Sequence, residues 1–362
     1  MLIVLKPGAT EEQRHSLVAT AEGDGFRVHP VPDTEHRLIV TGERHVPDPA
    51  AFIDRPGVAD ARRITHGYEL ASREVHPRDS VVRIGSVPVG GPGFVVIGGP
   101  CAVESREQTL TVARQVQAAG AHILRGGAFK PRTSPYSFQG LGEAGLKILA
   151  EARERTGLPV ITEALDVEQM DVVEEYADAI QIGSRNMHNF ALLKRAGRAR
   201  KPVMLKRGFA ATLEEFLMAA EYILAEGNPN VVLCERGIRA FSDFSRNTLD
   251  LSVVPAAKAL THLPIVVDPS HAAGRRDLVA PLARAAAAVG ADAIMVEVQD
   301  DPSGALCDST QALAPDAFAA LVAEVGRVAG SVDRPLLRLE PRTHRRRQGE
   351  LSDHHDAVIA AQ

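Results

Sequence analysis

The sequence has no glycine-rich dinucleotide fingerprint, no Walker-type phosphate loop and no short metal-binding motif. The first absence argues against an open nucleotide-binding sheet and the second against nucleotide hydrolysis. The third means that any metal site has to be assembled from residues far apart in the chain. No apolar stretch approaches the roughly 20 residues that a membrane helix needs. The opening MLIVLKPGATEEQ lacks a basic region and a cleavage site, so no secretory signal is expected. Only 3 of 362 residues are cysteine, which suits a reducing compartment better than a disulfide scaffold. Positive charge is not in excess either: 41 Lys and Arg against 46 Asp and Glu give a net charge of -5. That balance speaks against nucleic acid or an anionic membrane as partner. A cytoplasmic protein with neither partner is expected.

What is present is an ordinary globular composition, 45% hydrophobic and 24% charged, on a chain long enough for one large domain and a small one. Between about residues 90 and 330 one unit recurs: a short apolar run, a polar loop, then an amphipathic helical pattern. The runs are FVVIGGP (94–100), HILRGG (122–127), PVITEA (159–164), AIQIGS (179–184), PVMLKRG (202–208), VVLCERG (231–237), PIVVDPSH (264–271) and AIMVEV (293–298). They are too short for buried helices and apolar without alternation, as parallel strands covered on both faces are. Thr212 with Glu215 has the spacing of a helix-starting capping box. Eight such units over 94–334 predict an α/β fold, a (β/α)8 TIM barrel. Residues 1–66 read β-α-β-β-α-β, a small α+β ferredoxin-like domain whose second helix is DPAAFID. Residues 67–93 form a linker and a hairpin closing the barrel floor. Residues 335–362 are polar and aperiodic, and a mobile tail is expected there.

In a barrel of this kind the working groups sit where strands end at the C-terminal face. Those ends are loaded: Cys101 and Glu104, Arg125, Lys130 and Arg132, Glu163, Arg185, Lys206 and Arg207, Glu235 and Arg236, Asp268 and His271, Glu297, and Asp308 in the loop beyond. Solvated surface does not explain charges that recur at one phase of all eight units. Arg125, Lys130, Arg132, Arg185, Lys206 and Arg236 suit anionic ligands, arginine gripping phosphate or carboxylate in two-pronged fashion. Cys101, His271, Glu297 and Asp308 form a mixed soft and hard set that suits Mn2+, Fe2+, Co2+ or Zn2+ better than Mg2+.

The segments GPCAVES, RGGAFKPRTSPYSFQGLG, ITEALD, IQIGSRNMHNFALL, PVMLKRG, CERGIR and VVDPSHAAGRRDLV occur in this order. Together they resemble the 3-deoxy-D-arabino-heptulosonate 7-phosphate (DAHP) synthases, in the short microbial branch with a ferredoxin-like N-terminal extension. The resemblance implies condensation of phosphoenolpyruvate with D-erythrose 4-phosphate and water, releasing phosphate, as the first step of the shikimate pathway. It implies Cys101, His271, Glu297 and Asp308 as ligands of a divalent metal, and Lys130, Cys101 and His271 as the catalytic group. Arg125, Lys130, Arg185, Lys206 and Arg236 would surround phosphoenolpyruvate, with Glu235 and Asp268 close by. Lys130, Pro131, Arg132 and Thr133 would hold erythrose 4-phosphate, Arg132 gripping its phosphate. An aromatic amino acid effector bound by the ACT-like N-terminal domain, and a homo-oligomer, tetramer or dimer, are further implications. The sequence departs from the family at Gln299, where a histidine is common, and at DSTQAL after Asp308, where glycine-proline is usual. The alternatives are a related phosphoenolpyruvate-sugar synthase of the 3-deoxyoctulosonate 8-phosphate type, which usually carries Ala-Asn at Pro131 and Arg132, and a non-catalytic phospho-ligand-binding barrel.

Overall fold

The computed structural model of the chain describes residues 1–31, 36–42, 47–64, 66–132 and 134–339. Thr133, and residues 340–362 of the expected tail, lie outside the described residues.

The N-terminal segment forms β1 (Leu2–Leu5), α1 (Glu11–Gly23), β2 (Arg27–Pro30), β3 (Arg37–Thr41) and β4 (Val58–Arg62). The sheet is antiparallel in the order β2-β3-β1-β4. Thr10 and Gln13 start α1 with a complete capping box. The second helix expected at DPAAFID is a single 3-10 turn, Pro49–Ala51. Pro56 and the left-handed Gly57 turn the chain into β4 before another helical turn can form. One face of the sheet buries Met1, Ile3, Leu38 and Val40 against Leu17, Ala21 and Phe52. The other presents Leu2 and Ile39 to Val75 of the joining segment.

The barrel strands are β7 (Val95–Gly99), β8 (Ile123–Arg125), β9 (Val160–Ala164), β10 (Ala179–Ile182), β11 (Val203–Lys206), β12 (Val231–Glu235), β13 (Ile265–Val267) and β14 (Ala293–Glu297). All pair in parallel and β14 closes on β7. Side chains alternate between two cores, as strand geometry requires. Ile97, Ile123, Ile161, Ala179, Met204, Val232, Val266 and Met295 point inward and pack together. Leu124, Val160, Ile180, Leu205, Leu233, Val267 and Val296 point outward, into the layer shared with the surrounding helices. The hairpin of β5 (Val82–Ile84) and β6 (Val87–Val89) adds Val82, Ile84, Val87 and Val89 to the inner core and closes the floor. Pro335 to Leu337, the first residues of the expected tail, lie along this floor instead: Phe94 exchanges backbone bonds with Pro335 and Leu337. Their apolar side chains and free backbone groups find partners there.

The joining segment is docked on the barrel by α6 (Leu213–Ala225), where the Glu221 carboxylate accepts the amides of Leu70 at 2.7 Å and Ala71 at 2.8 Å. Burial pushes this carboxyl up to about 7, against the pull of those amides. A carboxyl with a higher value folded than unfolded adds stability at acid pH, and that share is lost as pH rises through the folded value. The melting temperature is therefore expected to fall by about 2–5 °C relative to that of Glu221→Gln between about pH 5 and 7.5. Scanning fluorimetry at matched ionic strength reads this, and parallel pH profiles would contradict it.

Candidate active site

The alternation that builds the barrel also aims the strand-end side chains. Arg125, Glu163, Gln181, Lys206, Asp268 and Glu297 continue the inward phase of Ile123, Ile161, Ala179, Met204, Val266 and Met295. Arg236 keeps the phase of Cys234. These groups converge at the C-terminal mouth, on a cleft of about 390 Å3 lined by Arg125, Lys130, Arg185, Lys206, Arg236 and His271, among others.

Short-range structure sets each of them. Ala102 bridges to Gly127, and Lys130 donates its backbone amide to Gln139, so the loop after β8 doubles back over the mouth. Lys130 Nζ then reaches Cys101 O at 2.9 Å and Cys101 Sγ at 3.1 Å. Burial disfavours its charge, but the sulfurs of Cys101 and Cys307 outweigh that and hold the ammonium protonated. His271 sits on α8 (Pro269–Ala273), which Asp268 caps by accepting the His271 amide. The second oxygen of Asp268 takes His271 Nδ1 at 2.6 Å and Lys206 Nζ at 2.5 Å. The ring is thereby turned so that Nε2 lies 3.0 Å from Glu297 Oε1. Burial opposes a second ring proton, yet Asp268 and Glu297 lift the imidazole to about 10. Glu297 also accepts Arg125 at 2.9 Å and Gln311 at 2.5 Å.

Cys101, His271, Glu297 and Asp308 each offer one ligand atom, and the four atoms lie within 4.8 Å of one another. A thiol, an imidazole and two carboxylates so close together fit a divalent transition ion. The Cys307 bond, burial and Glu297 hold the Cys101 thiol well above the ordinary thiol range, while Lys130 works toward the thiolate that a metal needs. Asp308 reaches this set with a left-handed backbone, φ 51°, which aspartate tolerates better than most residues. Its loop is held by Glu104, which accepts the Leu306 amide at 3.0 Å and Gln299 Nε2 at 3.3 Å. Gln299 thus binds beside the ligand loop through Gln108 and Glu104.

The remaining cations fall into two groups. Arg125 and Lys206 are ion-paired with Glu297 and Asp268. No carboxylate of the described residues pairs with Arg132, Arg185 or Arg236, although Arg132 Nη1 lies 2.6 Å from Cys307 Sγ. Positive charge without an internal partner beside an open cleft attracts anions.

Of the site residues chosen from the sequence, Cys101, Glu235, Asp268 and Glu297 do not line the cleft, and Glu235 and Asp268, both fully buried, belong to no ligand cluster either. Glu235 belongs to the outward phase of Leu233. It turns between barrel and helices, accepting Arg207 at 3.0 Å and the Gly237 amide at 2.6 Å. Its carboxylate faces Arg207, itself in the outward phase, rather than the cleft. Asp268 is inward but spent on Lys206 and His271, so it orients rather than contacts. Thr133 lies outside the described residues. Glu163, noted at its strand end, lines the cleft, as do Gln181 and Phe209, which the sequence reading passed over. Counting in twos from the inward core residues finds Gln181; nothing in the sequence marks Phe209.

Gly183 shows how closely this wall is built. A Cβ on it would meet Glu163 Oε1 at 1.9 Å, and Glu163 is already held by Gln181 at 3.1 Å. Gly183→Ala is expected to displace either Glu163 or the segment carrying Arg185. We expect at least about a tenfold loss of kcat/KM and about 1–3 kcal/mol of stability. Steady-state kinetics and chemical denaturation check this, and wild-type values would mean the wall yields freely.

Comparison with known proteins agrees with this geometry. The DAHP synthetase I family matches residues 79–329. A phospho-2-dehydro-3-deoxyheptonate aldolase of Thermotoga maritima is 49% identical over 333 residues, 92% of this chain and 98% of that one. The crystal structure of the Thermotoga maritima DAHP synthase superposes with a TM-score of 0.75 at 47% identity, covering 93% of this chain and 99% of the other. A 2-dehydro-3-deoxyphosphooctonate aldolase of Syntrophotalea carbinolica is 34% identical over 256 residues, 65% of this chain and 91% of its own. With residues 79–329 matched by the family model and 92% of its length aligned to a relative 49% identical, the chain belongs to the DAHP synthetase I family.

Proposed function

We propose that the unpaired cations and the four-ligand cluster at the mouth carry out the family's reaction. That reaction condenses phosphoenolpyruvate with D-erythrose 4-phosphate and water to give DAHP and phosphate, the first step of the shikimate pathway. The observation that carries the reading is the juxtaposition of Arg132, Arg185 and Arg236, free of carboxylates, with ligand atoms within 4.8 Å of one another. The two substrates together bear roughly five negative charges near neutral pH. Their repulsion is the main obstacle to contact, and fixed cations in a partly dry cleft offset it.

In this reading Arg125, Arg185, Lys206 and Arg236 bind phosphoenolpyruvate, and Lys130, Pro131, Arg132 and Thr133 hold erythrose 4-phosphate with Arg132 on its phosphate. Cys101, His271, Glu297 and Asp308 hold a divalent ion of the Mn2+, Fe2+, Co2+ or Zn2+ class, which supplies Lewis-acid polarisation of the aldehyde when bound. The methylene carbon of phosphoenolpyruvate bonds to the aldehyde carbon, and Lys130 delivers a proton to the oxygen that becomes a hydroxyl. Water adds at the neighbouring carbon and phosphate leaves. Asp268 keeps His271 in its tautomer and orientation, as carboxylate partners of metal-binding histidines do.

Incubating the metal-loaded chain with both substrates and following phosphate release tests this. Release that needs both substrates is expected; silence with Mn2+, Co2+ and Zn2+ would favour a non-catalytic barrel. Pro131 and Arg132, together with the 49% against 34% identity, favour the heptulosonate over the octulosonate product. The reading extends to residues 1–66 as a regulatory domain that answers an aromatic amino acid, to a homo-oligomer, tetramer or dimer, and to the cytoplasm. Inhibition of phosphate release by tyrosine or phenylalanine tests the regulatory part.

A further inference from the structure

The ring of Phe209 stands among three guanidiniums. The Cζ atoms of Arg236, Arg239 and Arg185 lie 4.7, 5.3 and 5.6 Å from its centroid. Bringing like charges this close costs Coulomb energy, and no carboxylate of the described residues pairs with any of the three. The electron-rich face of the Phe209 ring attracts all three. Arg236 otherwise bonds backbone oxygens, His271 O at 3.1 Å and Gly237 O at 3.4 Å.

The ring is itself held in place. Phe209 O accepts the Arg239 amide at 2.7 Å. On one side of it Arg207 is clamped by Glu235 at 3.0 Å and Asp250 at 2.9 Å, and its Nε closes the turn on Ala211 O at 3.0 Å. A half-buried phenylalanine on so fixed a turn, lining the cleft, presents a rigid face rather than a mobile side chain.

We propose that Phe209 is a positioning residue for the phosphoenolpyruvate subsite. Its face gathers Arg185 and Arg236 and holds their guanidiniums toward the ligand's anionic groups before the ligand arrives, and Arg239 adds charge behind them. This rests on the assignment of Arg185 and Arg236 to phosphoenolpyruvate. Preorganising two arginines affects binding of that substrate and leaves the other substrate and the proton donor alone.

The test uses the metal-loaded full chain and phosphate release, with KM measured for each substrate. Phe209→Leu keeps apolar volume and loses the aromatic face; Phe209→Met is a second such variant should the first lower the melting temperature. Either is expected to raise KM for phosphoenolpyruvate about 5- to 30-fold, with KM for erythrose 4-phosphate and kcat within about 3-fold. Phe209→Tyr keeps the face and is expected to stay within about 2-fold of wild type on all three. An unchanged KM for phosphoenolpyruvate in both apolar variants, an equal rise in both KM values, or failure of the tyrosine variant to restore it would each overturn the proposal. Arg185→Leu separates the two readings. If it raises KM for phosphoenolpyruvate while Phe209→Leu does not, only the role of Phe209 fails. If it leaves that KM unchanged, the subsite assignment fails with it.

Discussion

Lys130→Met lowers kcat by about 10^3-fold, within the range of a lost proton donor, and lowers the melting temperature by only about 2–4 °C. The two halves of this expectation have separate causes. Lys130 is only 6% exposed, and no carboxylate of the described residues pairs with its ammonium. It bonds Cys101 O and Sγ, and Arg125 stands near enough to repel it. The sulfurs of Cys101 and Cys307 more than offset the burial of its charge, so an apolar chain of similar length keeps the volume but gives up that attraction, a modest loss of stability. Activity is another matter, because nothing else in the cleft stands in its place: Arg132 turns to Cys307, Lys206 to Asp268 and Arg125 to Glu297. Kinetics of phosphate release and thermal denaturation of the same preparation read both halves. A variant that loses stability in step with activity would make Lys130 a structural strut and take away its assignment as proton donor.

How far the mouth could be read from the sequence depends on one count. The recurrence of charge after every apolar run marks the strand ends, because only the C-terminal edge of such a barrel leaves them room. The ends alone do not say which way each side chain faces. Glu235 and Arg207 lie at strand ends, yet they continue the outward phase of Leu233 and Leu205 and pair with each other behind the barrel. Glu163 and Gln181 follow Ile161 and Ala179 by two residues and face the cleft. A one-residue change of phase sends a side chain to the other layer, so parity is as informative as position. Residues beyond the strands obey no such count. His271 is aimed by a helix cap, Asp308 by a left-handed turn tied to Glu104, and Phe209 by a clamped loop; each depends on tertiary contacts between segments distant in the chain. The second N-terminal helix failed for a local reason, since DPAAFID ends at Asp54, and Pro56 and the left-handed Gly57 stop the chain from continuing helically before β4 begins at Val58.

The chemistry of the ligand set leads to the second large effect. Cys101→Ala removes the one soft donor and leaves His271, Glu297 and Asp308, so zinc and cobalt ions should suffer more than manganese. Losing a group that merely orients a ligand typically costs 10- to 100-fold in metal affinity, so losing the thiolate itself is expected to cost zinc at least about 10^2-fold. Manganese, which favours oxygen donors, should lose about 10-fold or less. The gap between the two ions narrows as a result, which no general damage to the fold would produce. Competition with a chromogenic chelator gives both affinities, and the cobalt-loaded protein adds a direct check: near-ultraviolet thiolate-to-metal absorption is present in wild type and gone in the variant. Cys307, whose Sγ lies 3.3 Å from that of Cys101, is the internal control. If it replaced Cys101 as ligand, the absorption would survive in Cys101→Ala and vanish only when both cysteines were changed. Equal losses for all ions in Cys101→Ala, with no such absorption in the wild type, would mean that no sulfur binds the metal and that the ligand set is His271 with the two carboxylates.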